Sequence, residues 1–152
     1  MDKAFQDFYA DNFSHCYGCG KQNPDGHRLK SYWDGEDTVA RHTPNPIYSG
    51  GVPNHVYGGL IASLLDCHGA ASAAAFTYRA LNCKMGASEE PIRYVTASLK
   101  IDFRRPTPMG TELTVHGKLR SIEGRKVWVD LTLCADGEVC VTGEMLAIRF
   151  KE

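Results

Sequence analysis

Two adjacent glycines followed by a carboxylate form the stretch of this sequence with the clearest potential for chemistry. Gly58 and Gly59 open a long apolar run, and Asp66 lies inside it. At the start of a helix the backbone N–H groups are unpaired and the dipole is positive. Because glycine has no side chain, a ligand oxygen can approach those N–H groups closely. The pattern suits the attack of water or a carboxylate on a polarised carbonyl group, with Gly59 as the polarising donor and Asp66 as base or nucleophile.

The spacing between Gly59 and Asp66 sets a condition on that chemistry. Seven residues of helix span about 10 Å, which one side chain cannot bridge. If both groups act on one carbonyl, Asp66 must serve a second, antiparallel copy of the helix, and the spacing then predicts an obligate homodimer. The alternative is structural: the glycines let the helix pass close to a strand, and Asp66 pairs with Arg79, His68 or a backbone amide.

A second candidate for chemistry is the pair Cys16 and Cys19, which are spaced Cys-x-x-Cys in a glycine-rich segment. Structural zinc needs four ligands, and no second Cys-x-x-Cys or His-x-x-x-His follows in the sequence. His15 or His27 would have to complete such a site, and a redox dithiol lacks a thioredoxin-like context. We therefore expect a tight turn with two packed thiols, no metal and no other cofactor, and we interpret Cys67 as a packing residue.

One long helix must position the glycines and the carboxylate. Residues 56–76 contain no proline and no β-branched cluster, which predicts a helix of five to six turns. Apolar residues cover every side of it, so we expect the helix, and Asp66 with it, to be buried. A membrane span is disfavoured because Asp66 and His68 near the middle would be costly in lipid.

Strands are predicted on both sides of this helix, and residues 1–14 are predicted to form a short helix or an arm. Runs of alternating polarity indicate strands at 27–34, 37–43, 94–105, 112–120, 126–134 and 139–150. In the third run, Val95, Leu99 and Phe103 are predicted to share one face, with Thr96 on the other. The order predicts an α+β fold in which an antiparallel sheet of five to six strands curls around one buried helix. We expect a single domain over 1–152, in which 1–26 form an N-terminal arm and the Cys-x-x-Cys turn.

The composition excludes several classes of partner. The 152-residue chain has a formal net charge of -1 and no block of Lys and Arg, so we expect neither nucleic acid nor a membrane surface. Its N-terminus lacks a basic region followed by an apolar stretch, so we expect no secretory signal. The six cysteines are then expected to be reduced thiols in a cytoplasmic protein.

Several of these motifs together resemble a known family. Gly58-Gly59, Leu-Leu-Asp at 64–66, the strand at 95–99 and the segment 102–108 resemble the hotdog-fold acyl-CoA thioesterases of the phenylacetate-degradation type. The segment 16–26 resembles a branch of the same group. The resemblance extends from about residue 15 to residue 150. It implies a hotdog fold and a homodimer, possibly a dimer of dimers, with active sites at the dimer interface.

The resemblance also implies roles for individual residues. Asp66, Gly59 and Thr96 would be catalytic, with the Thr96 hydroxyl holding the attacking water or the carboxylate. The family usually has His before the glycine pair, whereas this chain has Tyr57 there. Cations at the rim would bind the phosphates of coenzyme A. The candidates for substrate binding are Asn54, His55, Tyr57, Gly58, Ser98, Arg104 and Arg105.

The expected function is hydrolysis of an acyl thioester of coenzyme A, or of acyl carrier protein, to the free acid and the thiol. One alternative is a non-catalytic protein that binds acyl-CoA or another acyl thioester. Another is a hotdog enoyl-thioester hydratase, which would pair Asp66 with His68 at a spacing too close to favour it. A third is a zinc-dependent interaction module built on Cys16 and Cys19. A Ser-His-Asp triad is not indicated, because the sequence has no Gly-x-Ser-x-Gly motif.

Overall fold

The computed structural model describes residues 3–88 and 90–151, and over these residues six strands form one antiparallel sheet that packs against one long helix. The helix is α1 (Gly58–Ala80). The strands are β1 (Ser31–Asp34), β2 (Asp37–His42), β3 (Tyr94–Phe103), β4 (Leu113–Glu123), β5 (Lys126–Ala135) and β6 (Glu138–Arg149). Across the sheet their order is β1-β2-β4-β5-β6-β3, so the first strand after the helix lies at the sheet edge.

The structure has the predicted α+β arrangement, and the sheet has six strands where five to six were predicted. Several bounds of the elements differ from the prediction. The first strand begins at Ser31 rather than at residue 27, because the N–H groups of His27 and Leu29 donate to carbonyls of the preceding loop instead of to a strand. The N-terminal segment forms two short 3-10 turns, Phe5–Phe8 and Asp11–Phe13, instead of one helix. Residues 1 and 2 of the predicted arm, and residue 152 of the predicted domain, lie outside the described residues.

The core lies between α1 and the inner face of the sheet. Leu60, Ile61, Leu64 and Leu65 of α1 are buried, and each such side chain contributes about 1.5–3 kcal/mol by leaving water. A β-carbon at Gly69 would lie 2.5 Å from the Met145 Cε atom, so this glycine allows the helix to approach the sheet. The helix has the length and composition of a membrane span, but most of it is buried against the sheet, as expected of a core helix.

A buried polar network fixes α1 against β1 and β2. The His68 side chain is fully buried, with its Nδ1 2.8 Å from Ser31 Oγ and its Nε2 3.0 Å from Thr38 Oγ1. Burial lowers the pKa of His68 to about 3, so the imidazole is neutral at pH 7. Gln6 Nε2 donates to Ser31 Oγ, which leaves the Ser31 hydroxyl to donate to Nδ1 and places the imidazole proton on Nε2. His68 is thus held as a structural residue on a different side of α1 from Asp66.

Strand β3 contains a bulge that changes the direction of its side chains. Thr96 pairs with the buried Ala147 of β6, and the register then shifts by one residue, which leaves Ala97 outside the pairing. Leu99, beyond the bulge, pairs with the buried Met145. Residues opposite each other in an antiparallel ladder share a face, so Thr96 and Leu99 both face the helix. The predicted alternation, which placed them on opposite faces, is wrong because one inserted residue reverses the phase of a period-2 pattern.

Candidate active site

Asp66 and Thr96 meet where the middle of α1 passes the beginning of β3. Thr96 Oγ1 donates a hydrogen bond of 2.5 Å to Asp66 Oδ1. Both residues line a cavity of about 820 Å³. The expectation that Asp66 is buried is wrong for this chain: the residue is half-buried, because its side of α1 opens into the cavity. The structure therefore brings together two of the three predicted catalytic residues.

The walls of this large cavity are mostly apolar. They come from the N-terminal turns, the outward side of α1, the connection after α1 and the first residues of β3. The apolar side chains include Phe8, Phe13, Tyr78, Met85 and Ile92. A space of this size with apolar walls and a carboxylate suits a small organic ligand with one reactive polar group.

The glycine pair, Gly58 and Gly59, forms the first two residues of α1. Tyr57 precedes α1 and gives no side-chain cap, and its carbonyl accepts the N–H groups of Leu60 and Ile61 at 3.1 and 3.3 Å. Within residues 3–88 and 90–151, neither the Gly58 N–H nor the Gly59 N–H donates a hydrogen bond. A β-carbon at Gly59 would overlap the Tyr57 ring, so the ring packs against one side of this glycine, which stays exposed. The two N–H groups are available to bind an oxygen atom of a ligand.

A second cavity, of about 510 Å³, adjoins this helix start. Gly58, Arg104 and Arg105 line it, together with the end of β3. Arg105 Nη1 lies 2.5 Å from Glu138 Oε2, and Arg104 Nε donates to Thr142 Oγ1 at 3.1 Å. Arg104 Nη2 also lies 3.8 Å from Asp102 Oδ2, and both guanidinium groups remain exposed beside their carboxylate partners at the rim of the smaller cavity.

The other predicted binding residues occupy different positions. The Nδ1–H of His55 donates to the Pro53 carbonyl at 2.9 Å, and His55 lines the smaller cavity. Asn54 has a φ of +66° and accepts the Met109 N–H through its carbonyl, so it shapes the loop before α1. Ser98 is exposed and is not among the residues that line either cavity.

Next to Asp66 the structure places a group of three thiols. The sulfurs of Cys16, Cys19 and Cys67 all lie within 4.8 Å of one another, and the Cys16 and Cys67 sulfurs are 3.6 Å apart. Hydrogen bonds from the other two thiols, and from the N–H groups of Cys19 and Gly18, hold the pKa of the Cys16 thiol well below its usual range. The interpretation of Cys67 as only a packing residue misses this contact. No local pattern in the sequence indicates this contact, because Cys16 and Cys67 are 51 positions apart.

The two cavities lie at opposite ends of β3. Tyr94, Val95 and Thr96 border the large cavity, and Phe103 borders the small one. Asp66 and Gly59 are seven residues apart on a continuous helix, or about 10 Å along its axis. A single chain therefore holds a carboxylate with its hydroxyl partner in one cavity and the N–H donors beside another.

Comparison with known proteins places this chain among thioesterases. A profile of the thioesterase superfamily matches residues 53–142. Acyl-coenzyme A thioesterase THEM4 of Rattus norvegicus is 31% identical over 101 residues, which are 66% of this chain and 37% of that protein. The curated relatives are longer proteins, and the matched part spans 37% to 44% of their length.

Solved structures resemble the fold over most of the chain. A thioesterase superfamily protein from Shewanella loihica PV-4 has a TM-score of 0.70 and 41% identity, covering 94% of this chain and 100% of that chain. The E. coli PaaI protein of the phenylacetic acid degradation operon has a TM-score of 0.63 at 18% identity, covering 78% of this chain and 75% of that chain. The hotdog fold implied by the sequence resemblance is confirmed.

Proposed function

The chain belongs to the thioesterase superfamily, and we propose that it hydrolyses acyl-coenzyme A thioesters to the free acid and coenzyme A. The observation that carries the proposal is the 2.5 Å hydrogen bond from Thr96 to Asp66 inside an apolar cavity. Coenzyme A is the proposed carrier because the THEM4 relatives are named acyl-coenzyme A thioesterases. The cavity walls favour an alkyl or aryl acyl group.

In this proposal Asp66 is the base that activates water. Thr96 binds Oδ1 of Asp66 and fixes the carboxylate, so that the second oxygen can take a proton from the water. The water oxygen forms a bond to the thioester carbon, the carbon–sulfur bond breaks, and the leaving thiolate takes up the proton. Backbone N–H groups at the start of α1 stabilise the negative charge that develops on the carbonyl oxygen.

We propose that a second copy of the chain supplies those N–H groups. Strand β3 forms an edge of the sheet across the described residues, and its Val95 and Phe103 side chains are 49% and 56% exposed. An exposed ten-residue edge is a pairing surface that proteins normally cover. Two copies that pair along β3 about a two-fold axis run antiparallel, which sets the Thr96 end of one strand beside the Phe103 end of the other.

This pairing would join the two kinds of cavity into one site. The large cavity, with Asp66, would face the small cavity of the partner subunit, with its glycine N–H groups. Arg104 and Arg105 would then lie at the rim of the combined site, where the phosphates of coenzyme A need cations. The homodimer accounts for a helix that carries a base and an anion-binding terminus too far apart for one carbonyl.

The activity is tested by thiol release from a panel of short, long and aromatic acyl-CoA esters. We expect turnover by the wild-type chain and a loss of about 10²- to 10⁴-fold in Asp66→Asn, the range for removing a positioned base. A rise in melting temperature with the same esters would show that the variant still binds them. If wild type binds the esters without releasing thiol, the enzyme proposal fails and the chain is an acyl-thioester binding protein.

The shared site is tested separately with heterodimers of two inactive chains. One chain carries Asp66→Asn, and the other carries Gly59→Val, whose side chain would overlap the Tyr57 ring and crowd the donors. Co-expression with two different tags yields heterodimers with one intact site each, for which we expect about half of the wild-type turnover per dimer. Heterodimers no more active than the parent variants would contradict a site shared between chains.

A further inference from the structure

We propose that Cys16, Cys19 and Cys67 form a binding site for one Zn²⁺ ion whose fourth coordination position faces the large cavity. The ion would connect the Cys-x-x-Cys turn to the middle of α1. The proposed ion site does not depend on the proposed thioesterase activity, because it rests on the arrangement of the three thiols. Its test measures the number of metal ions bound per chain.

The positions of the three sulfurs fit a tetrahedral cation. With Zn–S bonds of about 2.3 Å, two sulfur ligands of a tetrahedral site lie about 3.8 Å apart. The Cys16 and Cys67 sulfurs are 3.6 Å apart, and all three sulfurs lie within 4.8 Å of one another. Thiolate ligands select zinc over the hard cations magnesium and calcium. The side chains thus need only small rotations to place three ligands around one ion.

The loop around the sulfurs is built to hold them. The Gly20 N–H closes the turn on the Cys16 carbonyl at 2.7 Å. A β-carbon at Gly18 would overlap the Cys67 sulfur, so glycine is required for the third thiol to reach the other two.

Access to the site comes from the cavity. Cys67 is buried, Cys19 is half-buried and Cys16 is exposed, so the cluster has one open side. The three cysteines line the large cavity together with His15 and Asp66. Water from the cavity can therefore complete the coordination of an ion held by three thiolates. The bound ion would fix the cavity wall next to Asp66.

The test uses the full chain, purified with reductant and treated with a chelator, and titrated anaerobically with Co²⁺ and then Zn²⁺. We expect one ion per chain, a thiolate-to-cobalt charge-transfer absorption that Zn²⁺ removes, and a rise in melting temperature with Zn²⁺. Cys67→Ser should weaken binding by at least the roughly 10- to 100-fold typical of losing an outer-shell partner. Cys16→Ser, at an exposed position, should do the same.

Cys83→Ser is the matched control, because Cys83 is half-buried after α1 and lies outside the cluster. It should bind both ions like wild type. The proposal is overturned if reduced wild type shows no cobalt charge-transfer band, or if Cys67→Ser binds Zn²⁺ as tightly as Cys83→Ser. A Cys16–Cys67 disulfide that persists under reductant and excludes the ion would also overturn it. Zn²⁺ binding by Asp66→Asn separates this result from any failure of the proposed enzyme activity.

Discussion

Replacing Thr96 with Val removes one hydroxyl group from the proposed site and keeps the branched shape of the side chain. Thr96 Oγ1 donates to Asp66 Oδ1 at 2.5 Å, and the residue is exposed to the cavity. Little packing is therefore lost with the hydroxyl. What changes is the orientation of the Asp66 carboxylate.

The size of the effect follows from the strength of that hydrogen bond. A hydrogen bond to a charged group contributes about 1.5–3 kcal/mol, which corresponds to a roughly 10- to 150-fold change in rate. Because Thr96 is exposed, solvent can replace part of the interaction, and we expect the lower end, about tenfold. The decrease should appear in kcat, since the hydroxyl acts on the base and not on the bound acyl chain.

The assay is steady-state thiol release from the best acyl-CoA ester, with kcat and KM determined separately. Thr96→Ser keeps the hydroxyl and should restore most of the rate. Thr132→Val is the matched control. Thr132 stands between Leu131 and Leu133 in β5; these two leucines are buried against the helix, so Thr132 lies on the face of the sheet that points away from it. It should leave kcat unchanged.

A double-mutant cycle decides whether Thr96 acts through Asp66. If it does, Thr96→Val should cost little in the Asp66→Asn background, because the group that it positions is already gone. An equal cost in both backgrounds, or full activity of Thr96→Val alone, would refute the reasoning. In that case the 2.5 Å hydrogen bond would have no catalytic role.

Three further predictions concern the core and the rim. Burial lowers the pKa of His68 to about 3, against about 6.5 in the unfolded chain. The contribution of this residue to the unfolding free energy should therefore be complete above pH 6.5 and should be lost progressively towards pH 3. Urea unfolding midpoints measured across this pH range test the prediction. Gly117→Ala should lower the unfolding free energy by about 1–3 kcal/mol, because its β-carbon would lie 2.5 Å from Thr38 Oγ1. Gly51→Ala is the control: its β-carbon would lie in open space, and the same denaturation experiment should show no change. Arg105→Ala should raise KM for acyl-CoA esters but not for acyl-pantetheine esters, which lack the nucleotide phosphates, and equal effects on both would count against a phosphate contact.

Much of the fold was predictable because its signals are local. The apolar run of α1 and the alternating strands are properties of neighbouring residues, and the glycine pair marked the start of the helix within two residues. The beginning of β1 was not predictable, because the N–H groups of His27 and Leu29 donate to the carbonyls of Tyr17 and Gly18 in the preceding loop, and alternation of polarity does not report such loop contacts. The same holds for His68, whose hydroxyl partners lie on two strands.

In the candidate site, too, the residues marked by local signals were predictable and the contacts between distant residues were not. Asp66 and Gly59 became candidates through residue type and helical spacing. That spacing predicts two copies of the chain if both groups act on one carbonyl, and the homodimer stays a prediction. Thr96 was assigned by resemblance, while its predicted face was wrong, since a bulge has no mark in a period-2 pattern. Ser98 lines neither cavity of this chain, and its assignment stays a prediction.

By itself the sequence determined one buried helix, a glycine-rich helix start and a carboxylate seven residues later, because backbone geometry converts residue spacing into distance. Only the tertiary structure decided that Thr96 faces Asp66 and that Cys67 joins Cys16 and Cys19. The contact between Cys16 and Cys67 links residues 51 positions apart. Such contacts depend on how a sheet edge and a loop pack against the helix, and no local pattern encodes that packing.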